Sequence, residues 1–311
     1  NNFYSPILLE NVTIETWTSG GAPAGDTTPP LINFTSPTPS SGSQSGDSIY
    51  VNISSSDAGN ISTFVDFNKS LVLWYNFESY NSSTIFDNST YNNLGTINNG
   101  TTNATGKFGK AIEFHADGND GIQGPNVDIN PSNNFTISLW TKNAVAQPSA
   151  NTVPFGRRGS NSNDAYIQVT GGATSRYSAV IENSSGSQFT LYGTQGETAD
   201  TNWHNVILLY NGSSGVLYVD NVEKDDVLIV GTIETGAGEY TIGKDVFNAQ
   251  EFNGSIDEVM VFSRKLSSEE INAIYNSSSK TGYAHNFTNL DNYNYTFKGY
   301  AIDSGGMLIL Q

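Results

Sequence analysis

Carboxylates are the one abundant class of reactive side chain in this sequence: 30 Asp+Glu stand against 13 Lys+Arg, three His and no Cys. His115, His204 and His285 lie far apart, and none has a partner at metal-ligand spacing. His204 follows Trp203 at the head of an apolar run and reads as structural. Without Cys there is no thiol nucleophile and no thiolate metal site. Gly171-Gly172 and the Gly236 to Gly238 stretch lack the strand–glycine–helix setting of a phosphate loop and read as β turns. Oxygen ligation of a hard cation is the chemistry that the composition still allows. The net charge of −17 argues against nucleic acid and anionic membrane surfaces, because binding to both runs on clustered Lys and Arg. No apolar run approaches the ~20 residues of a membrane-spanning helix, so membrane insertion is not expected.

Asparagine carries a second kind of chemistry. The sequence holds 37 Asn, 37 Ser and 29 Thr. Random placement would give roughly eight Asn-x-Ser/Thr acceptor triplets. The sequence has 16: Asn11, Asn33, Asn52, Asn60, Asn68, Asn81, Asn88, Asn99, Asn103, Asn134, Asn183, Asn211, Asn253, Asn276, Asn286 and Asn294. In Leu31 to Thr35, Val51 to Ser54 and Tyr293 to Thr296 the acceptor alternates with apolar residues. On a strand that alternation turns the Asn to solvent and its neighbours to the core. Covalent N-glycans and an extracellular location are therefore expected; an Asn-rich soluble surface is the other reading. Lack of Cys in an exported chain points away from a disulfide-stapled domain and towards an archaeal surface protein.

The elements that must position these groups are almost all strands. Alternating runs bounded by Gly, Asn, Asp and Ser recur at Ile49 to Ser54, Phe135 to Trp140, Tyr166 to Thr170, Trp203 to Tyr210, Val216 to Val219 and Ile256 to Phe262. This spacing predicts an all-β sandwich or jelly roll. Asp220-Asn221 predicts a tight hairpin turn. One short helix is expected, with Ser267 as its cap, Glu270 closing a capping box, and Ile271, Ile274 and Tyr275 as its apolar stripe. Two polar breaks, Ser19 to Pro30 and Ser277 to Gly282, read as linkers.

The motifs from residue 71 onwards fall in a familiar order. Leu71 to Glu78 is followed by Phe86 to Thr96, then Gly106 to Phe114, Phe135 to Trp140, Trp203-His204, Leu217 to Asp220, Phe252 to Phe262, and Leu266 to Ile271 with Tyr275. Taken together they resemble a laminin-G-like, concanavalin-type jelly roll. The flanks, Thr27 to Pro39 with Tyr50 to Ser54 and His285 to Asp303, resemble the two halves of an immunoglobulin-like surface repeat. The expected organisation is thus an N-terminal strand and linker (1–27), the first part of the immunoglobulin-like domain (28–70), the jelly roll (71–279) and the second part (280–311). Exposed loops tolerate such whole-domain insertions.

Such repeats end with one more strand than the five residues after Gly306 supply, while Ile7 to Trp17 looks like a last strand with no sheet of its own. Ile7, Leu9, Val12, Ile14 and Trp17 are the candidate contacts to another subunit. Strand addition between copies, repeated head to tail, builds an open filament. Two other readings stay open: the segment folds back on its own domain, or the chain is one repeat of a longer protein.

The jelly-roll resemblance also implies Ca2+. It carries over Asp87 and Asp257 as ligands, and more loosely Asp117 and Asp120; turn-forming Asp is the other reading of each. Glucanases of this fold carry Glu-x-Asp-x-x-Glu on one strand. Here Glu223-Lys-Asp225 is followed by Leu228 where the second Glu is needed, so no enzyme is expected. The function expected is a glycosylated structural subunit of a cell-surface filament that displays the jelly roll for adhesion, with copies of itself as partners. The alternative is a carbohydrate-binding, lectin-like module of an adhesin that binds surface glycans.

Overall fold

The structure is a computed structural model. It describes all residues except 1–6, 10–14, 18–27, 100–101, 117–119, 129–133, 147, 159–162, 198–199, 234–236, 246–249, 307 and 311. The chain divides into two compact units, residues 71–266 and residues 1–70 with 267–311. The first is continuous; the second is built from both sides of it.

The central unit packs two sheets face to face. One runs, in spatial order, Val222–Leu228, Ser214–Val219, His204–Tyr210, Phe135–Asn143, Gly254–Phe262, Lys110–Phe114 and Thr102–Thr105, with Leu71–Tyr75 also paired to Gly254–Phe262. The other runs Gln188–Tyr192, Tyr177–Glu182, Asn163–Val169, Thr152–Arg158, Ala237–Ile242, Gly121–Gln123, Gly95–Asn98 and Thr84–Ile85. Alternate residues of each strand fill the space between: Ile137, Leu139, Leu208 and Val259 from one sheet, Phe155, Ile167, Ala179 and Ile242 from the other. The period-2 alternation read in the sequence is what makes this core, because each sheet needs one apolar face to bury. Asp220 and Asn221 both take positive φ (51° and 62°) and join their two strands in a two-residue turn. That is the left-handed pair a type I′ hairpin requires.

The flanking unit is organised by one long strand, Ile49–Phe67. Its first half pairs with Ser278–Phe287 and Leu31–Phe34, and its second half with Phe297–Asp303. Val51, Ile53, Val65, Phe67, Tyr283 and Phe287 form its core, with the rings of Phe67 and Phe287 stacked 3.8 Å apart. The helix Ser268–Tyr275 packs on Ile49–Phe67 and Ser278–Phe287, so it belongs to this unit rather than to the jelly roll that the sequence reading extends to 279. Both halves of its capping box form: Glu270 N–H donates to Ser267 Oγ (3.3 Å), and Ser267 N–H to Glu270 Oε2 (2.9 Å). Ser267→Ala is expected to cost about 1 kcal/mol, read as a lower midpoint in urea unfolding.

The N-terminal segment, expected to be donated to another copy or to fold back on its own domain, pairs here within its own chain. Glu15–Trp17 pairs antiparallel with Leu308–Leu310 of its own chain, with Glu15 opposite Leu310. Ile7–Leu9 lies between Asn294–Tyr295 and Ser43–Gln44. An open sheet edge takes whichever strand is within reach, and a tethered segment of the same chain is present at high effective concentration. Val12 and Ile14 lie outside the described residues. Tyr293 also departs from its core-facing expectation, at 68% exposed.

Candidate functional site

The carboxylates expected to hold calcium serve separate loops. Asp87 is saturated by its own turn: Oδ1 accepts from the N–H of Trp74 (2.8 Å) and Ser89 (2.9 Å), and Oδ2 from Ser89 Oγ and Asn93 N–H (both 2.7 Å). Those bonds fix the loop, the turn-forming role. Asp120 accepts from His115 N–H at 3.0 Å and lies 3.2 Å from its Nδ1. Asp117 lies outside the described residues. Among the described residues, no group of three or more His, Asp or Glu is arranged to hold a metal by side chains alone.

Asp257 is different. It is fully buried, and its neighbours include Glu258 and Glu78, two residues that the sequence reading passed over. Asp257 Oδ2 accepts from Phe108 N–H (3.0 Å), Glu78 Oε1 from Lys110 N–H (2.5 Å), and Glu258 Oε2 from Trp74 Nε1 (2.7 Å). Glu258 Oε1 is buried with no hydrogen-bond partner. Burial, then the neighbouring Glu258 charge, holds the Asp257 carboxyl far above the usual carboxylate range. Burial likewise pushes Glu258 up to about 8. A β-bulge opposite Ser138 and Trp140, with Glu258 at φ 50°, turns these adjacent residues into the cluster. Gly106 closes it: a Cβ there would stand 2.6 Å from Asp257 Oδ2 and from the carbonyl oxygens of Phe108 and Lys110. A concentration of carboxylates and carbonyls in a cradle that admits only glycine is the donor set of a hard cation. Both Asp257 oxygens already accept from backbone N–H groups, those of Phe108 and Glu258.

A second site lies on the outer face of the sheet containing Thr152–Arg158. Ile242, Phe155, Ile167, Ala179 and Leu191 point into the core, so the residues between them point away. Register aligns Gln123, Thr241, Gly156, Tyr166, Val180 and Thr190 in one row across six strands, and Gln168, Ser178 and Tyr192 in the next. An open sheet face is normally wet, yet Glu182 and Thr241 are 5% and 7% exposed and Ser178 is fully buried. The Ser178 hydroxyl has no hydrogen-bond partner. Lys244 and Asp245 are buried at the same face. Burial, then the charges of Glu182, Asp245 and Tyr192, raises the Tyr166 hydroxyl above its ordinary value, which places this ring among carboxylates. Arg176 caps the Tyr192 ring at 4.0 Å, and the buried Gly156 has Thr241 Oγ1 3.0 Å from where its Cβ would stand. Ser178, Glu182 and Thr241 are covered by protein, whereas Gln123, Tyr166, Thr190, Tyr192 and Arg176 stay accessible on this face, and an amide, hydroxyls and rings of that kind suit a polyhydroxylated ligand. A glycine inside a strand was the sequence signal for this close approach.

The third cluster is structural, as read from the sequence. His204 Nδ1 meets Asp220 Oδ2 at 2.7 Å and Nε2 meets Asp200 Oδ1 at 3.0 Å, while Asp220 also accepts from Asn205 N–H at 3.0 Å. The Asp220 hydrogen bond, offset by burial and helped by Asp200, raises the imidazole from 6.5 to about 9. Its contribution to stability is complete below about 6.5 and is lost as the pH climbs through about 9. His204→Gln is therefore expected to flatten the fall in stability between pH 7 and 10 in urea titrations; an unchanged slope would exclude the clamp. Glu223 and Asp225, at the position of the glucanase motif, are engaged with the Tyr218 hydroxyl (2.9 Å) and the Tyr192 N–H (2.9 Å).

None of the described acceptor asparagines is buried. Asn52, Asn88 and Asn183 commit their Nδ2 to Ser36, Asn76 and Val230. Asn11 lies outside the described residues.

Comparison with known proteins follows the central unit. A family model described as the concanavalin A-like lectin/glucanases superfamily matches residues 116–272. Among solved structures, domain 4 of an extracellular arabinanase from Geobacillus stearothermophilus, in complex with arabinotriose, is similar at 20% identity and a TM-score of 0.50. That match covers 67% of this chain and 98% of the other. The botulinum neurotoxin serotype D ligand binding domain, in complex with N-acetylneuraminic acid, is similar at 18% identity and a TM-score of 0.53, covering 67% and 51%. The binding domain of Paraclostridial Mosquitocidal Protein 1 is similar at 16% identity and a TM-score of 0.52, covering 67% and 52%. This chain thus spans about half of each toxin domain. At these identities the likeness is one of fold. No curated protein sequence matches the chain.

Proposed function

Because the chain belongs to the concanavalin A-like lectin/glucanases superfamily, we propose that its central unit is a carbohydrate-binding module, extracellular and non-enzymatic. The observation that carries this reading is the polar outer face of this sheet, on which Gln123, Tyr166, Thr190 and the Arg176-capped Tyr192 stay accessible. It offers acceptors for sugar hydroxyls and one ring for stacking. Similar folds crystallised with arabinotriose and with N-acetylneuraminic acid support the class of ligand. With Glu182 and Asp245 beside Tyr166, the face favours neutral glycans over acidic ones. A calcium ion here would be held by Asp257, Glu78 and the carbonyls of Phe108 and Lys110, and would neutralise the buried carboxylates and fix the 106–110 loop. Covalent N-glycans at exposed acceptors such as Asn33, Asn81 and Asn286 complete an exported surface protein. The test is a glycan array probed with the full chain: neutral oligosaccharides bind, and Tyr166→Ala removes at least one group of these hits. No hit in calcium-containing buffer, or a set of hits of which none weakens in Tyr166→Ala, sinks this reading.

A further inference from the structure

The flanking unit carries a cavity that the jelly roll does not explain. Asn68 and Lys69, both with positive φ (56° and 55°), form the turn after Ile49–Phe67. The Asn68 N–H donates to the Thr296 carbonyl at 2.6 Å and holds that turn against the 292–296 segment. Between them lies a cavity of about 540 Å³ lined by Asn68, Lys69, Asn292, Tyr293, Asn294 and Thr296. That volume falls within the span of ligand pockets, roughly 300–1,000 Å³.

The lining is chemically selective. Every side chain can hydrogen-bond, three are amides, and none is a carboxylate, in a chain with 30 acidic residues. Tyr293 keeps 68% of its surface exposed, with Tyr295 set edge-on at 6.3 Å. An exposed ring stacks on the C–H face of a pyranose, and an amide presents a donor and an acceptor side by side, the spacing of vicinal hydroxyls. A phosphate or polyanion would call for more than the single cation, Lys69. We propose that this cavity holds a neutral saccharide. The site is independent of the polar outer face of the central unit. Two of its walls, Asn68 and Asn294, stand in Asn-x-Ser/Thr triplets. The sugar is therefore either a free glycan or the chain's own.

Two arms separate these sources. In the first, full-length chain from a host without N-glycosylation is applied to an array of neutral and acidic oligosaccharides, beside Tyr293→Ala and Tyr166→Ala. A neutral-glycan signal that falls about tenfold in Tyr293→Ala and survives Tyr166→Ala assigns a free ligand. In the second, glycosylated chain is mapped by glycopeptide mass spectrometry. A glycan on Asn68 or Asn294 that resists a broad glycosidase mixture, and loses that resistance in Tyr293→Ala, assigns an internal one. Tyr293→Ala should keep the parent melting temperature, since the ring is exposed. If neither arm responds to Tyr293→Ala, or only acidic sugars bind, the proposal is overturned.

Discussion

Calcium at about a hundred times its Kd is expected to raise the melting temperature of the chain by about 5–10 °C at pH 7.5. A ligand at that excess adds about 2.7 kcal/mol to the folded state. For a unit spanning residues 71–266, each kcal/mol is worth about 2–4 °C. The pH dependence is diagnostic. Without the ion, Asp257 and Glu258 take up protons more readily folded than unfolded, because burial holds both above their ordinary values. Acidification from pH 8 to 5 therefore stabilises the calcium-free chain, and alkaline conditions weaken it. The ion competes with those protons, so its benefit shrinks over the same interval. Measuring both curves in a His204→Gln background removes the other group whose contribution falls at high pH. Gly106→Ala is expected to abolish the calcium response, since its methyl group enters the oxygen cradle. Calorimetry showing equal melting with calcium and with chelator would remove the ion from the account.

The second large effect concerns the polar outer face. Gly156→Val is expected to weaken neutral-glycan binding at least tenfold, about 1.4 kcal/mol, by raising the floor of the row. Its Cβ would meet Thr241 Oγ1 at 3.0 Å and otherwise make ordinary contacts with Val153 and Asp245. Gly156 has no positive φ, so its backbone accepts a β-branched residue, but Thr241 must shift to admit it, and the melting temperature is measured alongside. Isothermal titration of the variant with the best array ligand checks this; affinity equal to the parent's places the sugar elsewhere.

Local signals in the sequence carried much of the architecture. The Ser267–Glu270 capping box, the Asp220-Asn221 turn and the order of motifs from Leu71 to Phe262 all have direct counterparts. What the sequence hid is non-local. Glu78 meets Lys110, and Asp257 meets Phe108, from distant segments, so no spacing rule flags the cluster. Tyr177–Glu182 is buried on both faces, which erases the alternation that would have shown Ser178 and Glu182 to point outward. Ser54 to Asn60 has the composition of a turn, yet pairing on either side carries Ile49–Phe67 straight through it. Turn propensity is a local preference of a fraction of a kcal/mol per residue, and two flanking ladders outweigh it.

That long strand has a consequence for biosynthesis. Ile49–Phe67 leaves the ribosome over 200 residues before its main partners, Ser278–Phe287 and Phe297–Asp303. At ordinary elongation rates the wait is on the order of ten to forty seconds. Throughout it, the nascent strand offers bare ladder groups to any passing polypeptide. Asn52, Asn60 and Asn68 are spread along it, and bulky polar modification there would shield the segment until the late strands arrive to claim it.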